Sequence, residues 1–250
     1  MLLHMKNCII VVAVLLFLPR LASANTLTNG SATINFDKAA WDSLAAGIGA
    51  PQPVLTLSAF FNQSQASGLS VTQAMTTPQT SPSYLNQVYA MNGTSVANEA
   101  GRATQPTTFD YTPGNAAGHT GFIGLGGLAR FDVSSGGTLL YGDYSVQFDT
   151  SRTLLGGSGW YLKGNIAPAG AAFDLLNVNV VDTAGALNIS GNLGVSPEVA
   201  TFLYGTPSDA LRNVGTFSFS ATSVPEPATV TLLGLASLMS LWRGGKRARR

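Results

Sequence analysis

The sequence predicts a mostly β exported domain, an antiparallel β-sandwich or jelly roll with one or two short helices, plus a C-terminal transmembrane helix. Three observations carry this. Thirteen of the 28 glycines fall between Gly118 and Gly170 and divide that stretch into short apolar runs, a spacing that suits strands joined by turns. Two segments alternate with period 2, Tyr144–Phe148 and Val214–Ala221, as half-buried strands require. Charged residues make up only 10% of the chain, and so much glycine opposes long helices.

In chain order, Ala32–Phe36 reads as a first strand. Asp37 is placed to cap a helix, with Ala39, Ala40, Trp41, Leu44 and Ala45 as its apolar stripe and Gly47 as its stop. Val54–Phe61 and Leu69–Ala74 read as strands. Thr76–Ser83, with Pro78 and Pro82 among polar residues, is a loop. Tyr84–Met91 and Thr107–Tyr111 are strand candidates separated by a polar stretch of no clear pattern. Phe122–Val133, Thr138–Tyr141, Tyr144–Phe148 and Trp160–Leu162 follow, with tight turns at Gly136-Gly137 and Gly142-Asp143. Phe173–Val181 is the most apolar run and reads as a central strand, and Ala186–Ile189 follows a turn at Ala184-Gly185. Ser196-Pro197-Glu198 opens a short helix that ends near Gly205, with a cap, a first-position proline and an acid in the first turn. The last strand, Val214–Ala221, places Phe217, Phe219 and Ala221 on its buried face.

Both ends of the chain read as sorting devices. Residues 1–24 have the order of a signal peptide: Lys6, an apolar core Ile9–Leu18, a break at Pro19-Arg20, and a small-x-small site at Ala22-Ser23-Ala24. Cleavage is expected between Ala24 and Asn25. The one cysteine, Cys8, precedes the apolar core, so the domain at residues 25–223 has no disulfide, thiol nucleophile or cysteine metal site. That domain holds six basic and eleven acidic residues, a net of −5 against +1 for the whole chain. A mildly acidic body gives no electrostatic footprint for nucleic acid.

The tail occupies residues 224–250. Val224 and Glu226 each precede a proline and are pushed out of helical geometry, so Val224-Pro225-Glu226-Pro227 is expected to be extended. Residues 228–242 form an uncharged run ending at Trp242. As a helix it rises ~22 Å, short for a hydrocarbon core of ~30 Å. Trp242 suits an interface and Arg243 can snorkel. The end, 243–250, carries Arg243, Lys246, Arg247, Arg249 and Arg250 and is expected on the cytoplasmic side. This three-part order resembles the PEP-CTERM sorting tail of Gram-negative bacteria, and Phe36–Trp41 resembles an opening motif common in exported proteins of that group. The resemblance implies processing by exosortase, a membrane-embedded cysteine transpeptidase-like enzyme. It also implies secretion and signal-peptidase machinery as partners, transient anchoring in the inner membrane through residues 228–242 with the domain on the periplasmic side, and a destination at the cell surface or in an exopolysaccharide matrix.

No set of residues in the body reads as an active site. His119 and Asp110 permit a serine triad on paper, but no Gly-x-Ser-x-Gly elbow accompanies them, and a loop histidine beside Gly118 is the better reading. Gly124-Leu-Gly126 is followed by strand rather than helix, against a dinucleotide site. Asp182-Thr-Ala-Gly185 reads as a turn. Asp132, Asp143, Asp149 and Asp174 lie near turns, where calcium binding is conceivable, although solvated turn acids are the plainer reading and no cofactor is expected. Trp160 and Tyr161 are the candidate contacts for carbohydrate, although core packing is the plainer reading for aromatics on strands. The expected function is a non-enzymatic surface or matrix protein, with a carbohydrate-binding module and then a secreted hydrolase as alternatives. N-terminal sequencing of exported protein is expected to begin at Asn25; any other start refutes the cleavage site.

Overall fold

A computed structural model describes residues 24–47, 57–63, 69–76, 84–98, 101–133, 138–166, 169–202 and 209–225. Within them lie thirteen strands: β1 (Asn25–Phe36), β2 (Leu57–Gln63), β3 (Gln87–Met91), β4 (Asp110–Thr112), β5 (Asn115–Thr120), β6 (Ile123–Gly126), β7 (Leu128–Val133), β8 (Thr138–Gly142), β9 (Ser145–Phe148), β10 (Trp160–Gly164), β11 (Gly170–Asp182), β12 (Ala186–Val195) and β13 (Asn213–Pro225). Three short helices accompany them, α1 (Lys38–Gly47), α2 (Val71–Thr76) and α3 (Pro197–Phe202), with a 3-10 helix at Thr150–Leu155.

Eight strands run in the order β13-β12-β11-β10-β9-β6-β3-β1, and β13 also pairs with β1. The sheet therefore closes into an antiparallel barrel, where the sequence had pointed to an open sandwich or jelly roll. Closure abolishes the exposed edges that a sandwich retains. β4 and β5 extend the sheet beyond β1, and β2, β7 and β8 make a separate three-stranded sheet. Residues 122–133, one apolar run in the sequence, split at Gly127 (φ 142°) between the two sheets. The backbone turns there in a conformation that favours glycine.

The β1–β13 seam joins the first and last strands. Thr28 and Thr222 share a hydroxyl hydrogen bond of 3.1 Å, and Asn35 donates to Thr216 at 3.3 Å. The strands approach so closely that a Cβ on Gly30 would lie 2.7 Å from the Ala221 Cβ, and one on Gly215 would lie 2.2 Å from the Asn35 carbonyl oxygen. A long run of pairing lies next to the seam, where β12 meets β13 from Ala186↔Thr222 to Gly194↔Asn213. β11 is interior, flanked by β10 and β12, as the apolar run at 173–181 requires.

The core fills the barrel and extends under α1. Alternate residues of β13 (Phe217, Phe219, Ala221) are buried, as their period-2 pattern predicts. Tyr89 and Tyr144 meet edge to face at 5.5 Å, both fully buried. Asp37 Oδ1 accepts from the Ala40 amide at 3.0 Å and so caps α1. Helix α1 then delivers Trp41, which stacks on Phe131 of β7 at 4.8 Å and 15°. Phe36 meets Phe131 edge to face at 5.1 Å. This aromatic group ties α1 and the small sheet to the barrel.

Two expectations need correction. Residues 71–76 are helix rather than strand. Ser70 and Gln73 form a reciprocal capping box, with Gln73 N donating to Ser70 Oγ at 3.2 Å and Ser70 N donating to Gln73 Oε1 at 2.8 Å. At the other end Arg130 Nη1 donates to the Ala74 carbonyl at 2.7 Å, where a cation complements the helix dipole. The first strand also begins seven residues earlier than its alternation indicated, at Asn25. Threonines and Asn29 there face solvent and dilute the pattern. The loop expected at 76–83 and the turn at Gly136-Gly137 lie almost wholly outside the described residues. So does the apolar run 228–242; among the described residues no helix is long and apolar enough to cross a membrane.

Replacing Gly30 by Val is expected to destabilise the barrel by about 1–3 kcal/mol through overpacking at the seam. Gly170→Ala, with nothing within 4 Å of the added carbon, is expected to stay within about 0.5 kcal/mol of wild type. Urea unfolding of the two variants checks both.

Candidate functional site

The start of β1 and the end of β13 meet at one end of the barrel. Asn25, the residue expected to become the new N-terminus, is the first of β1 and is buried. Its side-chain amide donates to the Thr183 carbonyl and to Ser223 Oγ, each at 3.2 Å. The Tyr111 hydroxyl lies 3.0 Å from both the Thr183 carbonyl and Ser223 Oγ. Ser223 N donates to the Gly185 carbonyl at 3.1 Å. Asn25, Tyr111, Thr183 and Ser223 thus stitch the start of β1 to the end of β13 at the β11–β12 turn. Val224 and Pro225 continue β13 in extended form, and Val224 is exposed. Ala24 lies just outside β1. Ala22, Glu226, Pro227, Arg243, Lys246, Arg247, Arg249 and Arg250 lie outside the described residues. The sequence signals named each terminus separately; their juxtaposition follows from β1 and β13 being antiparallel neighbours.

Trp160, the candidate carbohydrate contact, packs in the core, the plainer of its two readings. The residue is 3% exposed, and its ring sits among Phe148 at 5.3 Å, His119 at 5.5 Å and Phe109 at 6.3 Å. It offers no face to a sugar. Tyr161, the next residue on β10, points to the opposite side, where the Arg152 guanidinium lies 4.7 Å from its ring centroid and its hydroxyl donates to Gln147 Oε1 at 2.7 Å. Arg152 also donates to Asp174 at 2.5 and 2.9 Å and to Glu198 at 3.0 and 3.1 Å. This fork clamps the 3-10 helix to β11 and to the first turn of α3. Ser196 caps α3 by accepting from Val199 N at 3.0 Å. Partial burial pushes the Glu198 carboxyl up, but its hydrogen bonds and charge pairing with Arg152 outweigh that and hold it below the ordinary glutamate value.

The turn acids take structural roles. The buried Asp143 carboxylate accepts from Arg102 Nε at 2.7 Å and from the Ala103 amide at 3.1 Å. Arg102 also donates to the Leu69 carbonyl at 3.2 Å, joining two loops to the β8–β9 turn. Asp149 caps the 3-10 helix by accepting from Ser151 N at 2.8 Å. Asp174 belongs to Arg152, and the Asp132 side chain lies outside the described ones. Among the described residues no three His, Cys, Asp or Glu side chains gather as metal ligands. His119 is on β5 rather than in a loop, its ring tilted 32° against that of Phe109 at 4.3 Å. Burial lowers its pKa. Gly124 and Gly126 are in strand β6, and Asp182 accepts from the Ala116 amide at 2.7 Å at the start of a turn.

The other end of β1 and β13, ~33 Å away along the strands, carries an open cleft of about 480 Å³. Its lining includes Asn35, Tyr84, Leu85, Asn213, Gly215 and Thr216. Asn35 is fixed on both sides of its amide, accepting from Asn86 N at 2.7 Å and donating to Thr216. Asn213 Oδ1 accepts from Gly215 N at 3.1 Å. The Phe36–Trp41 motif contributes Phe36, Asp37, Lys38 and Ala39 to this cleft, but the sequence did not mark Asn35, Asn213 and Thr216 as their neighbours, because only barrel closure makes β1 and β13 adjacent.

No protein-family model matches the chain, and no curated protein does. Among solved structures, it is similar to the C-terminal domain of HtaA from Corynebacterium glutamicum, with 15% sequence identity and a TM-score of 0.38 over 80% of this chain and 99% of that one.

Because the folded-state pKa of Glu198 is depressed, its contribution to stability is present above the unfolded glutamate value near 4.5 and is lost as pH falls through the lower folded value. Glu198→Gln is expected to lower stability by about 0.2–1 kcal/mol at pH 7, since the pair is half exposed and screened. The wild-type and variant melting curves are expected to converge towards pH 3.

Proposed function

We propose that this chain is an exported, non-enzymatic cell-surface or extracellular-matrix protein, sorted and processed at its PEP-CTERM tail by exosortase. The observation that supports the reading is the way β13 leaves the barrel. The last strand stays paired through Thr222, is held once more at Ser223, and passes into Val224 and Pro225 while still extended. An extended backbone is the form that a processing enzyme grips along its length. The barrel behind it is closed, so pulling on the tail loads the whole β1–β13 seam rather than a loose edge. A closed, cysteine-free barrel also suits transport to an oxidising exterior, where it needs no disulfide partner.

On this reading the partners are the secretion and signal-peptidase machinery, then exosortase, with residues 228–242 holding the domain at the periplasmic face of the inner membrane until processing. The domain then faces exopolysaccharide. His119, Asp143, Asp149 and Asp174 serve core packing, ion pairs and a cap in this barrel, which favours an interaction role over hydrolysis. The intact mass of the exported protein tests the sorting claim. In cells with exosortase the mass is expected to lack residues 228–250, and in cells without it to retain them. Retention under both conditions overturns processing.

A further inference from the structure

The cleft at the Phe36 end of the barrel has the composition of a binding site for an uncharged glycan. Its volume of about 480 Å³ lies within the ~300–1,000 Å³ of small-molecule clefts. Beside the charged pair Asp37 and Lys38, the polar groups on its walls are amides and a hydroxyl: Asn35 and Thr216 on the two sides of the seam, and Asn213 at the start of β13. Asn213 is exposed, and its oxygen accepts from Gly215 N, so its NH₂ is the group it can offer as donor. Thr216 Oγ1 accepts from Asn35, which leaves its own proton to donate. Tyr84 and Leu85 supply apolar surface beside these groups, and Leu85 is 57% exposed. Hydrogen-bonding edges next to an aromatic ring and an aliphatic side chain match a pyranose, which has hydroxyls at its rim and C–H groups on its faces.

The cation on the cleft is paired, and the carboxylate on it serves as a helix cap. Asp37 caps α1, and Lys38 Nζ lies 2.5 Å from Asp42 Oδ2 in an i,i+4 pair. A phosphorylated or strongly acidic ligand finds no unpaired cation among these lining residues. A peptide adding as a strand finds no edge, because β1 pairs with β3 through Ile34↔Gln87 and with β13 through Asn35 and Thr216. Asn86, held at φ 55° with its amide on Asn35 Oδ1, fixes the rim, so the site is organised before any ligand arrives.

We infer that this cleft binds an uncharged pyranose oligomer, with Asn213, Thr216 and Asn35 as hydrogen-bonding residues and Tyr84 and Leu85 as the apolar wall. The assignment rests on the cleft and not on the tail, so failed glycan binding leaves tail processing untouched, and failed processing leaves this site untouched. The test is a titration of ¹⁵N-labelled full-length protein with cello-, malto-, manno- and xylotetraose, and with tetragalacturonate as the acidic counterpart. For at least one neutral oligomer, the side-chain amide signals of Asn35 and Asn213 and the backbone signals of Asn86 and Thr216 are expected to move. Asn213→Ala and Thr216→Ala, both at exposed positions, are expected to weaken that binding about tenfold each with the remaining spectrum unchanged. Silence of those signals with every neutral oligomer overturns the assignment. So does undiminished binding by both variants, or a stronger response to tetragalacturonate than to any neutral oligomer.

Discussion

The seam between β1 and β13 is the constraint on which the rest of the structure depends. It joins strands about 190 residues apart in the chain, as in the Thr28–Thr222 hydrogen bond. Until it forms, eight strands are an open sheet with two long edges; once formed, there is an inside. The buried set of β13 and the buried alternate residues of β1 (Ala32, Ile34, Phe36) share that interior. Such long-range closure gains nothing until nearly all of the chain is in place. Its residues are chosen for close approach: Gly30 and Gly215 sit where any side chain would strike the facing strand. The stitched start of β1 and end of β13 lie at one end of this seam and the polar cleft at the other.

Two arginines, each used differently, hold what the barrel does not hold itself. Arg102 and Asp143 are both buried and tie loops of low regularity to the β8–β9 turn. Removing one partner of such a pair leaves an uncompensated charge, at a cost of ~3–5 kcal/mol. Arg152 works nearer the surface, with one buried acid, one exposed acid and a tyrosine ring. Its planar fork serves three partners at once, which a lysine ammonium does not. Between these clamps the aromatic group of Phe36, Trp41, Phe131 and Phe173 closes the contact between α1, the small sheet and the barrel. The tryptophan that sequence reasoning offered as a sugar platform, Trp160, is part of a second aromatic group of the same kind, with His119 between Phe109 and itself. Stacking among core rings and stacking on a ligand call for the same residue types, so composition could not separate the two.

Local rules carried the sequence reading a long way. The Asp37 and Ser196 caps, the turn at Ala184-Gly185, the interior strand around Phe173 and the buried face of β13 depend on interactions within a few residues, and each is where its own neighbours place it. The same local physics was present and overlooked at Ser70-x-x-Gln73, a capping box that outweighs the apolar look of Leu69 and Val71. By itself, then, the sequence determined a strand-rich, cysteine-free body with short capped helices and an apolar run near each terminus. Only the tertiary structure decided that the strands close into a barrel, that Asn25 and Ser223 meet, that Trp160 is core, and that Asn35, Asn213 and Thr216 line one cleft. The reason is physical. Alternation says which face of a strand is buried but not which strand lies beside it, and every one of those outcomes depends on a neighbour far away in the chain.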